Sequence, residues 1–196
     1  DVDLRRDIDL IVLGDDGRVR LWRNMRDASF REVSTSVGLD ALPAAAAIAV
    51  GDVTKDGFPD IAVSAKTGES VLAVGASNNR FNMRPFAALP AAAHAAQMVD
   101  ADNDGLLDVV TLQADGVRVI RQVAGGFEDV STRAGLATAP GVPAGAEGGA
   151  LLLLDADASG GMDAVMLRAG TATLHRASGE GWPSLRVRLT AQVSNR

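Results

Sequence analysis

Aspartates recur along this chain in short clusters whose spacing suits the binding of a hard cation. Residues 100–108 read DADNDGLLD, which places Asp100, Asp102, Asp104 and Asp108 within nine positions. Carboxylates this close repel one another unless a cation lies between them. Calcium takes about 6–8 oxygen ligands, and a glycine such as Gly105 at position 6 lets the chain wrap around the ion. The segment therefore predicts a calcium-binding loop.

Three other segments repeat this arrangement, and we number the four as loops 1 to 4 in chain order. Loop 1 (1–9) reads DVDLRRDID, loop 2 (52–60) reads DVTKDGFPD, loop 3 is 100–108, and loop 4 (155–163) reads DADASGGMD. Affinity should fall with ligand charge, so we expect weaker binding than in loop 3 both in loop 2, where Thr54 donates a neutral oxygen, and in loop 4, where Ser159 replaces an aspartate. The predicted ligands, with position 7 contributing its carbonyl, are Asp52, Thr54, Asp56, Phe58 and Asp60 in loop 2, Asp100, Asp102, Asp104, Leu106 and Asp108 in loop 3, and Asp155, Asp157, Ser159, Gly161 and Asp163 in loop 4.

Loop 1 differs at the centre, where Arg5 and Arg6 stand at positions 5 and 6. An arginine there supplies its own positive charge, so we predict that Asp1–Asp9 binds no ion. An isolated Asp-Gly cluster would be interpreted as an ordinary turn, because both residues favour turns. Three full copies in register make coincidence improbable.

Other metal sites fit the pattern less well. An EF-hand needs a bidentate Glu at position 12, where this chain has Val63, Thr111 or Met166. Magnesium prefers few protein ligands and keeps its waters. Zinc favours His and Cys, but the chain has no cysteine, and His94 and His175 share no motif.

The elements that must position these loops are short β-strands. Apolar runs follow each loop and precede loops 2, 3 and 4, and they are too short and too β-branched for helices. Next comes an Asp-Gly hairpin signal and a strand that alternates apolar and charged residues, as in 17–24 and 116–123. A fourth strand is predicted at 29–39 and 126–136. Ala-rich runs such as 43–50 could form a helix by propensity, but the same place in the last unit reads GGALLLL.

Four antiparallel strands on a period of about 50 residues predict an all-β fold built of β-propeller blades. The net charge of −6 and pI of about 4.9 argue against nucleic acid as a partner. No run approaches the roughly 20 apolar residues of a membrane span. Because the chain opens inside a repeat, we expect an excised or mature segment.

The spaced DxDxDGxxD loops, together with SFREVSTSVGL (29–39) and GFEDVSTRAGL (126–136), resemble FG-GAP/VCBS repeats of integrin-α-like propellers. The tail 181–196 resembles the start of the ASPIC/UnbV module found after such repeats in the cartilage acidic protein family, and we expect it to be either the last strand or the start of such a module. This resemblance implies a propeller segment over 1–180, with repeats at about 1–40, 41–90, 91–140 and 141–180. Relatives commonly have seven blades, with calcium loops on one face. They are exported or cell-surface proteins that bind partners or glycans, often without catalysis.

We therefore expect a secreted, periplasmic or cell-surface scaffold that contains structural Ca2+. It should bind a protein or glycan partner, which is unidentified, and not nucleic acid. No GxSxG or HExxH motif points to an enzyme. Trp22 and Trp182 are expected to pack near blade edges rather than bind sugars. The alternative is a polysaccharide lyase or hydrolase in which calcium contacts an acidic sugar. Open sheet faces at the ends of a four-blade segment would favour self-association or packing on further blades.

Overall fold

The structure is a computed structural model, and it describes residues 1–134, 136, 148–157, 159, 161–168 and 170–176. Within these residues the fold is all-β, with fourteen strands in four antiparallel sheets, each made of strands consecutive in the chain. The strands are β1 (Leu10–Leu13), β2 (Val19–Asn24) and β3 (Phe30–Glu32) in the first sheet, β4 (Ala45–Gly51), β5 (Asp60–Ala65), β6 (Val71–Ala76) and β7 (Arg80–Pro85) in the second, β8 (Ala95–Val99), β9 (Asp108–Gln113), β10 (Gly116–Val123) and β11 (Gly126–Asp129) in the third, and β12 (Ala150–Leu154), β13 (Asp163–Arg168) and β14 (Thr171–His175) in the fourth.

The aspartate loops occupy one place in this topology. Loops 2, 3 and 4 each connect the first strand of a sheet to the second, and the ninth-position aspartate of each loop begins that second strand. Loop 1 precedes β1, which corresponds to the second strand of the other sheets. The first sheet therefore has three described strands and begins without a counterpart of β4.

The Ala-rich segment before loop 2 is a strand and not a helix. In β4 the side chains alternate in burial, and Ala45, Ala47 and Ala49 are 1–5% exposed. Small side chains are needed here because β4 lies close to the third sheet. A Cβ on Gly51 would lie 2.9 Å from the side chains of Leu107 and Met98. Close approach of the sheets, which local propensity does not encode, selects the strand.

The predicted strands over 29–39 and 126–136 are both wrong in their second halves, since β11 ends at Asp129 and residues 131–134 form a turn. β3 ends at Glu32, and Ser34–Val37 forms a single helical turn followed by a 3-10 turn over Leu39–Ala41. Pairing stops because the Ser34 hydroxyl accepts the backbone N–H of Leu21 at 3.0 Å, in place of a β3 carbonyl. In the third sheet, Ser131 Oγ accepts the N–H of Val119 at 2.9 Å in the same way.

Three hydrophobic clusters lie between consecutive sheets, so the sheets stack in chain order. Leu21, Ile61 and Val63 join the first sheet to the second, Ala62 and Val109 belong to the cluster between the second and third, and Leu112, Leu151 and Met166 join the third to the fourth. The second strands β5 and β9 are buried along their whole length. Consequently, the carboxylates that begin them are held at the edge of the core.

None of the helices in the described ranges is long and apolar enough to cross a membrane.

Candidate metal site

The first carboxylate of each loop closes the turn. Asp100 Oδ1 accepts the backbone N–H of Asp104 at 3.0 Å, and its Oδ2 accepts that of Gly105 at 2.8 Å. Loop 2 has the same pair of bonds to Asp52 at 3.1 and 2.8 Å, and loop 1 has it to Asp1 at 3.0 and 2.7 Å. Side-chain acceptors of this kind stabilise a turn without any ion.

Loop 1 keeps this backbone although its sequence is degenerate. Position 6 has φ of 86° at Gly105, 88° at Gly57 and 67° at Arg6, and position 4 is also left-handed in loops 1, 2 and 3. A non-glycine residue in this region costs roughly 1 kcal/mol. The Arg6 N–H donates to Asp1, while Asp9 accepts from Val2 and Asn24, so the loop conformation depends on the carboxylates at positions 1 and 9 more than on the glycine.

The ninth-position carboxylate connects the loop to the sheet. Asp108 is 1% exposed, its Oδ2 accepts the N–H of Ala101 at 3.0 Å, and its Oδ1 accepts the N–H of Gln122 on β10 at 2.8 Å. Asp60 and Asp9 make the same two kinds of bond, to position 2 of their loops and to the third strand in register. Asp163 accepts the N–H of Ala156 at 2.9 Å.

Burial shifts the ionisation of these aspartates. Desolvation raises the pKa of Asp108 to about 6, against the lowering effect of the two backbone N–H groups, and the nearby charges of Asp102 and Asp104 raise it further. Desolvation also raises the pKa of Asp60. In loop 4, hydrogen bonding from Ser159 lowers the pKa of Asp157, which is more exposed.

Carboxylate oxygens converge in three of the four loops. One oxygen from each of Asp100, Asp102 and Asp104 lies within 4.8 Å of the others, and the same holds for Asp155, Asp157 and Asp163 and for Asp1, Asp3 and Asp9. Two oxygens on one calcium are at most about 5 Å apart, since each bond is about 2.3–2.6 Å long. The donor set is therefore of the right type and spacing for a hard cation. Asp108 is not part of the converging set in loop 3.

Loop 2 has the same backbone bonds as loop 3 but a different set of side chains, because its position 3 is Thr54. Asp52, Asp56 and Asp60 are not among the described acidic groups whose oxygens converge. The Thr54 hydroxyl donates a hydrogen bond to Asp60 Oδ2 at 3.2 Å, so its proton is directed at another residue of the same loop. The predicted carbonyl donors Phe58, Leu106 and Gly161 have their N–H groups bonded to the position-5 side chains at 2.9, 2.8 and 3.3 Å. That geometry holds position 7 beside position 5, and the carbonyl ligation stays a prediction.

The sequence interpretation missed a set of arginines in three of the sheets, each on the strand that follows the hairpin or directly after that strand. Arg121 on β10 forms ion pairs with Asp102 and, at 3.2 Å, with Asp104. Arg23 on β2 lies 3.1 Å from Asp3, and Arg176 lies 3.8 Å from Asp157. Arg5, which was expected to supply the charge of loop 1, is more distant from Asp3 at 3.6 Å. An alignment of the segments that follow the hairpins, such as VRLWRN (19–24) with VRVIRQ (117–122), would have shown that this arginine recurs.

A cavity of about 460 Å³ opens beside loop 3, between the third and fourth sheets. Its basic lining comes from Arg121, Arg133, His175 and Arg176, and Asp102 and Asp108 are also part of its wall. His175 lies on β14, the third strand of its sheet. Trp22 lies on β2 and is partly buried, whereas Trp182 and the tail 181–196 fall outside the described residues.

A search among curated proteins finds no match to this chain. Residues 1–63 of the 196 match the family model of the FG-GAP-like repeat. The matched segment contains loop 1, the whole first sheet, β4, loop 2 and the first four residues of β5. This region of the chain is therefore similar to an FG-GAP-like repeat, in agreement with the resemblance of the aspartate loops.

Proposed function

We propose that this chain is a segment of a calcium-stabilised β-propeller that serves as an extracellular scaffold for protein or glycan partners. The observation that carries the proposal is the convergence of Asp100, Asp102 and Asp104 between the first two strands of a sheet. The similarity of residues 1–63 to an FG-GAP-like repeat supports a propeller of exported type. Stacking of the four sheets in chain order is the arrangement that consecutive blades require.

Calcium would act structurally. The ion would neutralise carboxylates that otherwise repel one another, so that its binding energy adds to folding energy. Asp100, Asp102 and Asp104 would hold it in loop 3, with Asp108 as an outer partner. The converging aspartates would hold it in loop 4, and in loop 2 Thr54 would first have to release Asp60. Sites of this kind with affinities around 10⁻⁴–10⁻³ M match calcium levels outside cells.

The finer features of the proposal come from the sequence resemblance. They comprise membership of a seven-bladed parent propeller, a following ASPIC/UnbV-like module at 181–196, and a role in secreted or adhesive proteins. Sheet faces left open at the ends of this segment would pack on further blades or on another copy.

A thermal melt in calcium, magnesium and chelator tests the calcium role. The midpoint should rise in millimolar calcium, rise less in magnesium, and fall in chelator. Asp104→Ala should reduce the calcium response, because it removes one of the three converging carboxylates. Asp115→Ala, a change in the hairpin between β9 and β10, should leave the response unchanged. A wild-type midpoint that ignores both calcium and chelator would remove the proposal.

One feature favours a second candidate, a polysaccharide-active protein that binds an acidic sugar. The cavity beside loop 3 brings three arginines and His175 to the edge of a candidate calcium loop. Guanidinium groups bind carboxylates well. Turnover of uronic-acid polymers, lost on Arg133→Gln, would establish this activity. Binding of such polymers without turnover would instead favour the scaffold.

A further inference from the structure

In three of the four units, the position-3 aspartate of the loop pairs with an arginine on, or directly after, the strand that follows the hairpin. Arg23 faces Asp3, Arg121 faces Asp102, and Arg176 faces Asp157. In the second unit, position 3 is the neutral Thr54, and the equivalent strand residue is Val74. The equivalence follows from register, because Val74 lies one residue beyond the pair Ile61↔Ala73, as Arg121 lies one beyond Val109↔Ile120.

The contact in loop 3 is part of the loop and not a loose surface pair. Arg121 Nη2 lies against Oδ2 of both Asp102 and Asp104, while a backbone N–H donates to Oδ1 of each of these aspartates. The side chain of Arg121 is 33% exposed and that of Asp104 is 18% exposed. One guanidinium therefore neutralises part of the charge that a divalent ion would meet.

Counting this arginine changes the charge balance among the loops. At ligand positions 1, 3, 5 and 9, loop 2 has three carboxylates and no arginine on the facing strand, whereas loop 3 has four carboxylates and Arg121. These groups leave three net negative charges in each loop, and Lys55 at position 4 of loop 2 lies outside this count. At the same positions loop 4 has three carboxylates and Arg176, and loop 1 has three carboxylates with Arg5 and Arg23. The fourth carboxylate of loop 1, Asp7, stands at position 7 and pairs with Arg26.

We propose that the position-3 aspartate and the third-strand arginine form one charge-neutral unit, interchangeable with Thr54 and Val74, and that Arg121 thereby sets the divalent-cation affinity of loop 3. The affinity part of this inference rests on the proposed calcium function. Arg121 acts through Asp102 and Asp104 and is a positioning residue, not a ligand.

The second unit supplies the substitutions that test this unit. Arg121→Val removes a cation beside the loop and should tighten calcium binding about tenfold, because repulsion between two cations a few ångströms apart is lost. Asp102→Thr leaves Arg121 without its main partner and should weaken binding by at least about tenfold. The double variant reproduces the Thr54–Val74 pair and should bind within about threefold of wild type. Both residues already occur at these positions in a folded sheet of the same chain.

The experiment is calorimetric titration of the full chain with calcium, beside urea unfolding in chelator. Arg118→Gln is the matched control, because Arg118 lies on the same strand but pairs with Asp115 in the hairpin. It should leave calcium affinity unchanged. In chelator, each single variant should lower the free energy of unfolding, and the double variant should lower it by less than the sum.

The outcomes separate the two proposals. If the double variant binds calcium as weakly as Asp102→Thr, then a threonine cannot replace the Asp102 carboxylate even without Arg121, and the unit is overturned while the calcium function stands. If no variant takes up calcium, the calcium function fails, and the chelator series alone decides: additive effects overturn the unit, and coupled effects support it. Tightening by Arg121→Val with near-wild-type binding of the double variant supports both proposals.

Discussion

Asp108 on β9 and Gln122 on β10 are joined by a hydrogen bond of 2.8 Å from the Gln122 backbone N–H to Asp108 Oδ1. The other oxygen of the same carboxylate accepts the N–H of Ala101 in loop 3 at 3.0 Å. A single buried side chain thus fixes the loop to both the second and the third strand of its sheet. The repetition of this contact at Asp60 and Asp9 makes it the common structural element of the loops, independent of any ion.

Asp108→Asn should lower the free energy of unfolding by about 2–3 kcal/mol, even in chelator. The amide group replaces one acceptor oxygen with a donor, so one buried backbone N–H loses its partner. Urea unfolding with circular dichroism measures the change. Asp115→Asn is the control, because its side chain is 58% exposed and pairs only at the surface. Equal stability of Asp108→Asn and wild type would contradict the role assigned to this carboxylate.

Two glycines should respond to alanine for different reasons. A Cβ on Gly75 would lie 2.4 Å from the carbonyl oxygen of Pro59, a backbone atom that cannot move aside, so Gly75→Ala should cost about 3 kcal/mol or more. Gly105 has φ of 86° and only ordinary contact around it, so Gly105→Ala should cost about 1 kcal/mol through the backbone alone. Parallel urea titrations of both variants measure the difference. A larger loss from Gly105→Ala would show that loop geometry dominates.

The sequence predicts the strands and the place of the loops because both follow from local signals. Short β-branched runs bounded by Asp and Gly predict strands, and the ninth-position aspartate of each loop is the first residue of β5, β9 or β13. The strand in the Ala-rich segment at β4 was also predictable, but only by comparison with the equivalent β12.

Features that depend on long-range contacts were not predictable in this way. The alternating pattern of β10 predicts that its charged residues face solvent, yet Arg121 lies against loop 3. The helical turn after β3 depends on a hydrogen bond between Ser34 and Leu21, which lie 13 residues apart. By contrast, the absence of three converging carboxylates in loop 2 follows from the sequence, because position 3 is Thr54 where loop 3 has Asp102.

Ser34→Ala should destabilise the protein by about 1–2 kcal/mol, because the backbone N–H of the fully buried Leu21 would lose its acceptor. Ser131→Ala should have a similar cost for the equivalent bond to Val119. Ser36→Ala is the matched control, since Ser36 is exposed and its hydroxyl donates only to the Val33 carbonyl. Thermal unfolding would measure all three variants. Equal effects of Ser34→Ala and Ser36→Ala would mean that the buried hydroxyl does not end the strand pairing.

The hairpin between β1 and β2 provides a pH test away from the loops. Arg20 donates from both terminal nitrogens to the Asp16 carboxylate, at 3.1 and 2.5 Å, and the Arg18 backbone N–H adds a third bond at 3.0 Å. These bonds hold the pKa of Asp16 well below its usual value, the hydrogen bond from Arg20 being the main cause. The stabilising contribution is therefore present above the usual aspartate pKa and is lost as the pH falls through the lowered value.

An NMR titration of the Asp16 carboxyl carbon should accordingly show it still ionised at a pH where an unperturbed aspartate is largely protonated. Arg20→Gln should raise this pKa most of the way back, because it removes the charge and both side-chain bonds, leaving the single bond from Arg18. Arg84→Gln, an exposed change on β7 of the second sheet, should leave it in place. If Asp16 titrates in its usual range in the wild-type protein, the contact with Arg20 is not maintained in solution. The hairpin would then be held by its backbone bonds between Gly14 and Arg18 and between Gly17 and Gly14.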